Sequence, residues 1–123
     1  MSIRFRYDPE LKILFTTAEG LVTFEELQSH LDEENRAGAL AYRELFDAMK
    51  ARTNLTVTQV RVVVEQLKRM MQAHSMGPTA VVTVNDVFYG MVSLMAIVSE
   101  IEAGPRIGVF RSFDTGLEWL VRI

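Results

Sequence analysis

Thr79-Ala80-Val81-Val82-Thr83-Val84 lies between Gly77-Pro78 and Asn85-Asp86. A short, apolar, β-branched run with turn residues at both ends reads as a strand buried on both faces. Such strands belong to parallel sheets, where each neighbouring pair is joined by a helical crossover. The flanks agree with this. Upstream, Val57 to His74 repeats apolar residues at helical spacing, with Val60, Val63, Val64, Leu67, Met70 and Met71 expected inward. Arg61, Glu65, Lys68 and Arg69 are expected outward, with i,i+4 pairing of Arg61 with Glu65 and Glu65 with Arg69. Downstream, Asn85 or Asp86 is placed to cap a helix over Val87 to Glu102, which Gly104-Pro105 ends.

The pattern extends outward in both directions. Arg106 to Arg111 reads as a last strand, and Ser112 as the cap of a final helix with Leu117, Trp119, Leu120 and Val121. Trp119 is expected to anchor that helix on the sheet. Toward the N-terminus, Tyr42 to Ala48 reads as a short strand followed by a polar loop, Lys50-Ala51-Arg52-Thr53-Asn54. Before it, Thr23 and Glu26 form a capping box for a helix that runs to Ala37-Gly38. At the start, Ile3, Phe5 and Tyr7 alternate with Arg4 and Arg6, Asp8-Pro9-Glu10 supplies a turn, and Leu11 to Thr17 returns as a strand that Gly20 ends. The expected architecture is α/β, a β-α superhelix: five strands in a mixed sheet, the first antiparallel, with four helices. Residues 1–123 form one domain, with no linker or repeat.

With 123 residues and no cysteine, the chain needs neither disulfide nor metal to bury a core, and thiolate chemistry is excluded. Met1-Ser-Ile-Arg-Phe-Arg-Tyr-Asp-Pro is expected to carry no apolar leader core behind its basic residues, and absence of cysteine fits a reducing, cytoplasmic setting. The longest apolar stretch, Val87 to Val98, is too short to span a bilayer, which takes about 20 residues. A net charge of −3 with scattered basic residues argues against nucleic acid as a partner.

Three segments resemble the SpoIIAA-like, STAS-related family: Gly20-Leu-Val-Thr-Phe-Glu-Glu-Leu leading into the first helix, Leu45-Phe46-Asp47 ending a strand, and Val109-Phe110 before Ser112 with Trp119-Leu120 near the end. The resemblance covers essentially the whole chain and implies that fold. In STAS proteins that antagonise anti-sigma factors, the corresponding strand ends in Asp-Ser and the serine is phosphorylated. Asp47 matches, but Ala48 stands where the serine would be. The resemblance therefore supports the fold better than that switch; Thr53, Thr56 or Thr58 could be modified instead, but nothing in the residues requires it.

Candidate sites are few. Asp47, Lys50, Arg52, Thr53 and Thr56 follow a central strand and precede a helix N-terminus, a location suited to an anion. The plainer alternative is that Thr56 only caps the helix and the charges are solvated. Asp47 could equally be a functional acid or bond its own loop backbone. His30 with Glu33 or Glu34 has the spacing of a weak metal site, but the polar surroundings favour a solvated helix face, so no metal is expected. His74 suits the C-terminus of its helix. The helix Val87–Glu102 is apolar nearly all round: Val87, Met91, Leu94, Met95, Val98 and Ile101 are expected inward. Phe88, Tyr89, Val92 and Ala96 are left for a homodimer contact, for internal burial, or for a ligand cavity.

No nucleophile–base pair, phosphate-binding glycine loop or metal spacing is recognisable, so neither an enzyme nor a cofactor is expected. The leading expectation is a non-catalytic regulatory or protein-interaction module, homodimeric and with a possible protein partner. A binding module for a small apolar or amphiphilic ligand is the alternative.

Overall fold

A computed structural model describes residues 3–123. Met1 and Ser2, part of the segment read above as lacking a leader, lie outside the described residues. Strands β1 (Ile3–Asp8) and β2 (Ile13–Val22) form an antiparallel hairpin in which Ile3 pairs with Ala18 and Asp8 with Ile13. Asp8 closes the turn, its carboxylate accepting the N–H groups of Glu10 and Leu11. Helix α1 (Phe24–Arg36) follows, then β3 (Arg43–Thr53), α2 (Val57–Ala73), β4 (Thr79–Val82), α3 (Asp86–Ile101), β5 (Ile107–Phe110) and α4 (Phe113–Arg122). The sheet order is β1-β2-β3-β4-β5, and every pair after the first is parallel.

Local chemistry sets the element ends. The Thr23–Glu26 capping box forms as read from sequence, and Thr56 with Gln59 makes a second one at the start of α2. Asn85 and Ser112 cap α3 and α4 by accepting the N–H groups of Phe88 and Thr115. Beyond α1, Gly38 adopts φ +70°, the left-handed conformation that lets the chain turn sharply out of the helix.

Helices α1, α2 and α3 share one face of the sheet. Leu31 of α1, Val60, Val63, Val64 and Leu67 of α2 and Met95 of α3 join in one apolar cluster. Helix α4 covers the other face, where Leu120 packs on Ile13, Leu45, Ala80 and Val82. Strand β4 is thus buried on both sides, with Val81 toward α3 and Ala80 and Val82 toward α4. Trp119 is half-buried beside Phe110, with ring centroids 5.4 Å apart. Among the described residues no helix is long and apolar enough to cross a membrane.

Several expected details are corrected. Strand β2 continues past Thr17 and through Gly20 to Val22, and β3 runs on to Thr53, so Lys50–Thr53 are strand rather than loop. The reason is mutual: the two extensions pair with each other, Glu19 with Lys50 through Val22 with Thr53, after a bulge that places Ala48 and Met49 opposite Ala18. On α2, Met71 is exposed, and Glu65 pairs with Lys68, which also reaches Glu102.

The orientation of α3 is also corrected. Its buried residues are Phe88, Val92, Met95 and Ser99, while Val87 and Ile101 are exposed. Bulk and close approach decide this. The Phe88 ring fills the core against Phe46 and Val81, and buried Ser99 donates its hydroxyl to the carbonyl of Pro105, holding the following turn against the helix. Phe88 and Val92 are therefore core residues rather than interface residues.

Candidate functional site

Along α1, His30 and Glu34 are one turn apart and share the inward side with Leu27 and Leu31. On β3, Glu44 has the same parity as Phe46 and Ala48, so it faces the helical layer. These three ionisable side chains meet inside the protein. His30 Nε2 is 2.9 Å from Glu34 Oε1 and 3.1 Å from Glu44 Oε2, and all three residues are buried. Thr16, fully buried on neighbouring β2, donates its hydroxyl to Glu44 Oε2. The imidazole is held edge-on between the rings of Phe5 and Phe46, each 5.7 Å away between centroids.

Charge is held here by mutual pairing. Burial alone would lower the His30 pKa, but hydrogen bonds and charge from Glu34 and Glu44 outweigh it and push the value up to about 10. Glu34 is pushed up to about 8 by burial and by the Glu44 charge, against the opposing pull of His30. For Glu44, burial favours the neutral acid. Bonding and charge from His30, the Thr16 hydroxyl and the Glu34 hydrogen bond prevail, and its pKa falls below the usual carboxylate range.

The cluster forms the polar end of a cavity of about 90 Å³. The rest of the lining is almost wholly apolar, including Leu31, Val63, Leu67, Val81, Val92 and Met95. Exposed Tyr42 and half-buried Met76 and Gly77 also line it, so its rim reaches the surface near the start of β3.

The expected solvated face around His30 is therefore corrected: His30 and Glu34 point into the core. A signal for this was present in sequence, because both residues extend the Leu27–Leu31 stripe at helical spacing. Glu44, likewise, sits in phase with Phe46 in a strand.

The residues suggested for an anion lie elsewhere. Lys50 and Arg52 are exposed on β3. The Thr53 hydroxyl bonds the Val22 carbonyl and accepts from the Leu55 N–H, and Thr56 caps α2. Asp47 accepts the Met49 N–H at the bulge, beside an open hollow lined also by Arg4, Arg6 and Phe113. Of the residues suggested for an interface, Tyr89 and Ala96 are partly exposed, Tyr89 lying under the Arg111 guanidinium at 3.9 Å from its ring centroid. His74 is exposed at the C-cap of α2.

Comparison with solved structures aligns this chain with a protein of the DUF3478 family from Shewanella loihica PV-4, described as uncharacterized and SpoIIAA-like in fold. The TM-score is 0.58 at 13% identity, covering 96% of this chain and 91% of that one. The fold is SpoIIAA-like. At this identity the likeness is one of fold. No protein-family model and no curated protein matches the sequence. Ala48, where the resemblance would place a switch serine, is fully buried.

Proposed function

We propose that this SpoIIAA-like domain is a non-catalytic binding module for a small, largely apolar molecule bearing one polar group. The observation that carries this reading is the cavity, with apolar walls and three convergent polar side chains at one end. Its volume of about 90 Å³ suits a molecule of a few heavy atoms. Met76 and Met95 in its wall can reshape for a somewhat larger one. A non-catalytic role is supported by how its polar groups are engaged: His30 Nε2 is shared by two carboxylates and the Thr16 hydroxyl is given to Glu44.

The test uses 1-propanol, isobutylamine and 1-pentanol as probes, with methyl NMR spectra of the metal-free protein. A saturable shift at Val63, Val92 and Met95 is expected with at least one probe, and it should vanish in Val63→Phe, whose ring occupies the space. Absence of a saturable shift with all three, or the same shift in a folded Val63→Phe protein, rejects the reading.

A second reading, self-association, has its own observation. On α3, Val87, Ile97 and Ile101 are 59%, 55% and 78% exposed. Together with Gly90 and Leu94 they follow a three-four spacing, an uncharged seam suited to the same seam on a second copy. The regulatory role implied by the family resemblance fits such a contact, with its control elsewhere than at Ala48.

A further inference from the structure

We infer that His30, Glu34 and Glu44 form a binding site for a divalent transition metal, zinc best matching the donor set, with an open coordination position toward the cavity. The argument begins with donor type. One imidazole nitrogen and two carboxylates are a zinc-compatible set, and three protein ligands with one position left open is the arrangement of sites that also bind an exogenous group. Magnesium and calcium favour more oxygen donors and six or more ligands, so they fit it poorly.

Geometry agrees. The three donor atoms lie within 4.8 Å of one another, and His30 Nε2 is already 2.9 and 3.1 Å from the two carboxylates. Ligand atoms on a tetrahedral zinc, bonded at about 2.0–2.2 Å, sit roughly 3.3 Å apart. Small side-chain movements therefore convert the hydrogen-bonded cluster into a ligand set. The donors come from two rigid elements, α1 and β3, which limits how far the set can spread.

Charge balance supplies the driving force. Two buried carboxylates beside a neutral imidazole carry two negative charges, which a dication cancels without any proton. A dication held here therefore leaves no uncompensated buried charge. The supporting shell is present as well: Thr16 orients Glu44, and Phe5 and Phe46 fix the imidazole plane. The cavity beside the cluster leaves space for the fourth ligand, from water or from a bound molecule.

This inference extends the cavity reading but fails separately from it, since metal uptake is measured with no organic probe and probe binding with no metal. Chelator-stripped full-length protein is dialysed against limiting zinc, and bound metal is measured by elemental analysis. About one zinc per chain is expected, undisplaced by equimolar magnesium or calcium. Binding should weaken at least roughly tenfold in His30→Gln and in Glu34→Gln, while Asp47→Asn on the opposite sheet face should bind normally. Substoichiometric uptake by wild type, or full uptake by a folded His30→Gln protein, overturns the assignment. Where a variant fails to fold, the cobalt-loaded wild type decides. Intense visible bands of low-coordinate cobalt uphold the site, and the weak spectrum of hexa-aqua cobalt refutes it.

Discussion

Glu44 Oε2 and His30 Nε2 lie 3.1 Å apart although 14 residues separate them in the chain, so strand β3 and helix α1 are tied by a buried, charge-assisted contact. Stability of the metal-free protein must therefore follow the protons of this cluster. His30 rises from 6.5 to about 10, so its contribution is complete below pH 6.5 and is lost as pH climbs through 10. Glu34 rises from 4.5 to about 8, so its contribution is complete below pH 4.5 and is lost as pH climbs through 8. Glu44 has the opposite sign: its lowered pKa gives stability above 4.5 that is lost on acidification. Between pH 6.5 and 8 both raised groups act together, and stability should fall most steeply there, by up to about 1.4 kcal/mol per pH unit for each group. Denaturant unfolding in chelator across pH 5–9 checks this. A flat profile, or an unchanged slope in His30→Gln, would contradict the assignment.

The Thr16 hydroxyl has a single role visible in the structure, to donate to Glu44 inside the sheet. Thr16→Val keeps the shape and removes the donor, leaving one carboxylate oxygen less satisfied. A loss of about 1–3 kcal/mol in unfolding free energy is expected. The Glu44 pKa should also move up, because one group holding it low is gone. Carboxylate-detected NMR titration reads this second effect. Destabilisation without any upward movement would mean that Thr16 acts through packing alone.

The sheet was legible in the sequence because its signals are local. Gly77-Pro78 and Asn85-Asp86 bracket β4, and the capping residues Thr23, Thr56 and Ser112 mark three helix starts. What sequence reading missed depends on pairing between distant segments. Lys50–Thr53 looks like a polar loop in isolation and becomes strand only because Glu19–Val22 lies beside it. The inward assignment of Val87 and Ile101 failed for a related reason. With apolar residues on nearly every side of α3, periodicity cannot select the inward face, and the Ser99 contact with Pro105 does. The buried cluster was concealed by its own composition, since His30 and Glu34 lie among Asp32, Glu33 and Asn35 in a helix that reads as solvated.

Gly77 sits at the cavity rim with its N–H bonded to the Leu40 carbonyl. A Cβ at this position would lie 2.3 Å from the Tyr42 carbonyl oxygen and 2.6 Å from its carbon, both backbone atoms that cannot swing aside. Gly77→Ala should therefore push the 76–78 segment away from Tyr42 and cost about 1–3 kcal/mol. The same displacement should widen the cavity entrance, so probe exchange at Met95 should speed up in the variant. Calorimetry and exchange NMR measure the two effects. Unchanged stability would show that the segment relaxes freely and does not define the rim.

The apolar seam of α3 makes a prediction independent of the cavity. Ile97 and Ile101 are one turn apart, both well exposed, and Gly90 has no neighbour within 4 Å of an added Cβ, leaving room for a close approach. If two copies meet through this face, each seam covers the other around a two-fold axis. Light scattering should then give a dimer mass at micromolar concentration. Ile97→Glu places two like charges near that axis and should yield monomers without lowering the unfolding midpoint of the single chain, because Ile97 contributes little to the core. Ile101→Lys should act in the same direction. Tyr89→Ala, at the partly exposed flank under Arg111, should leave the mass unchanged if the seam itself is the contact. A wild-type protein that scatters as a monomer at high concentration, or a dimer that survives both charge substitutions, would remove α3 as the self-association surface.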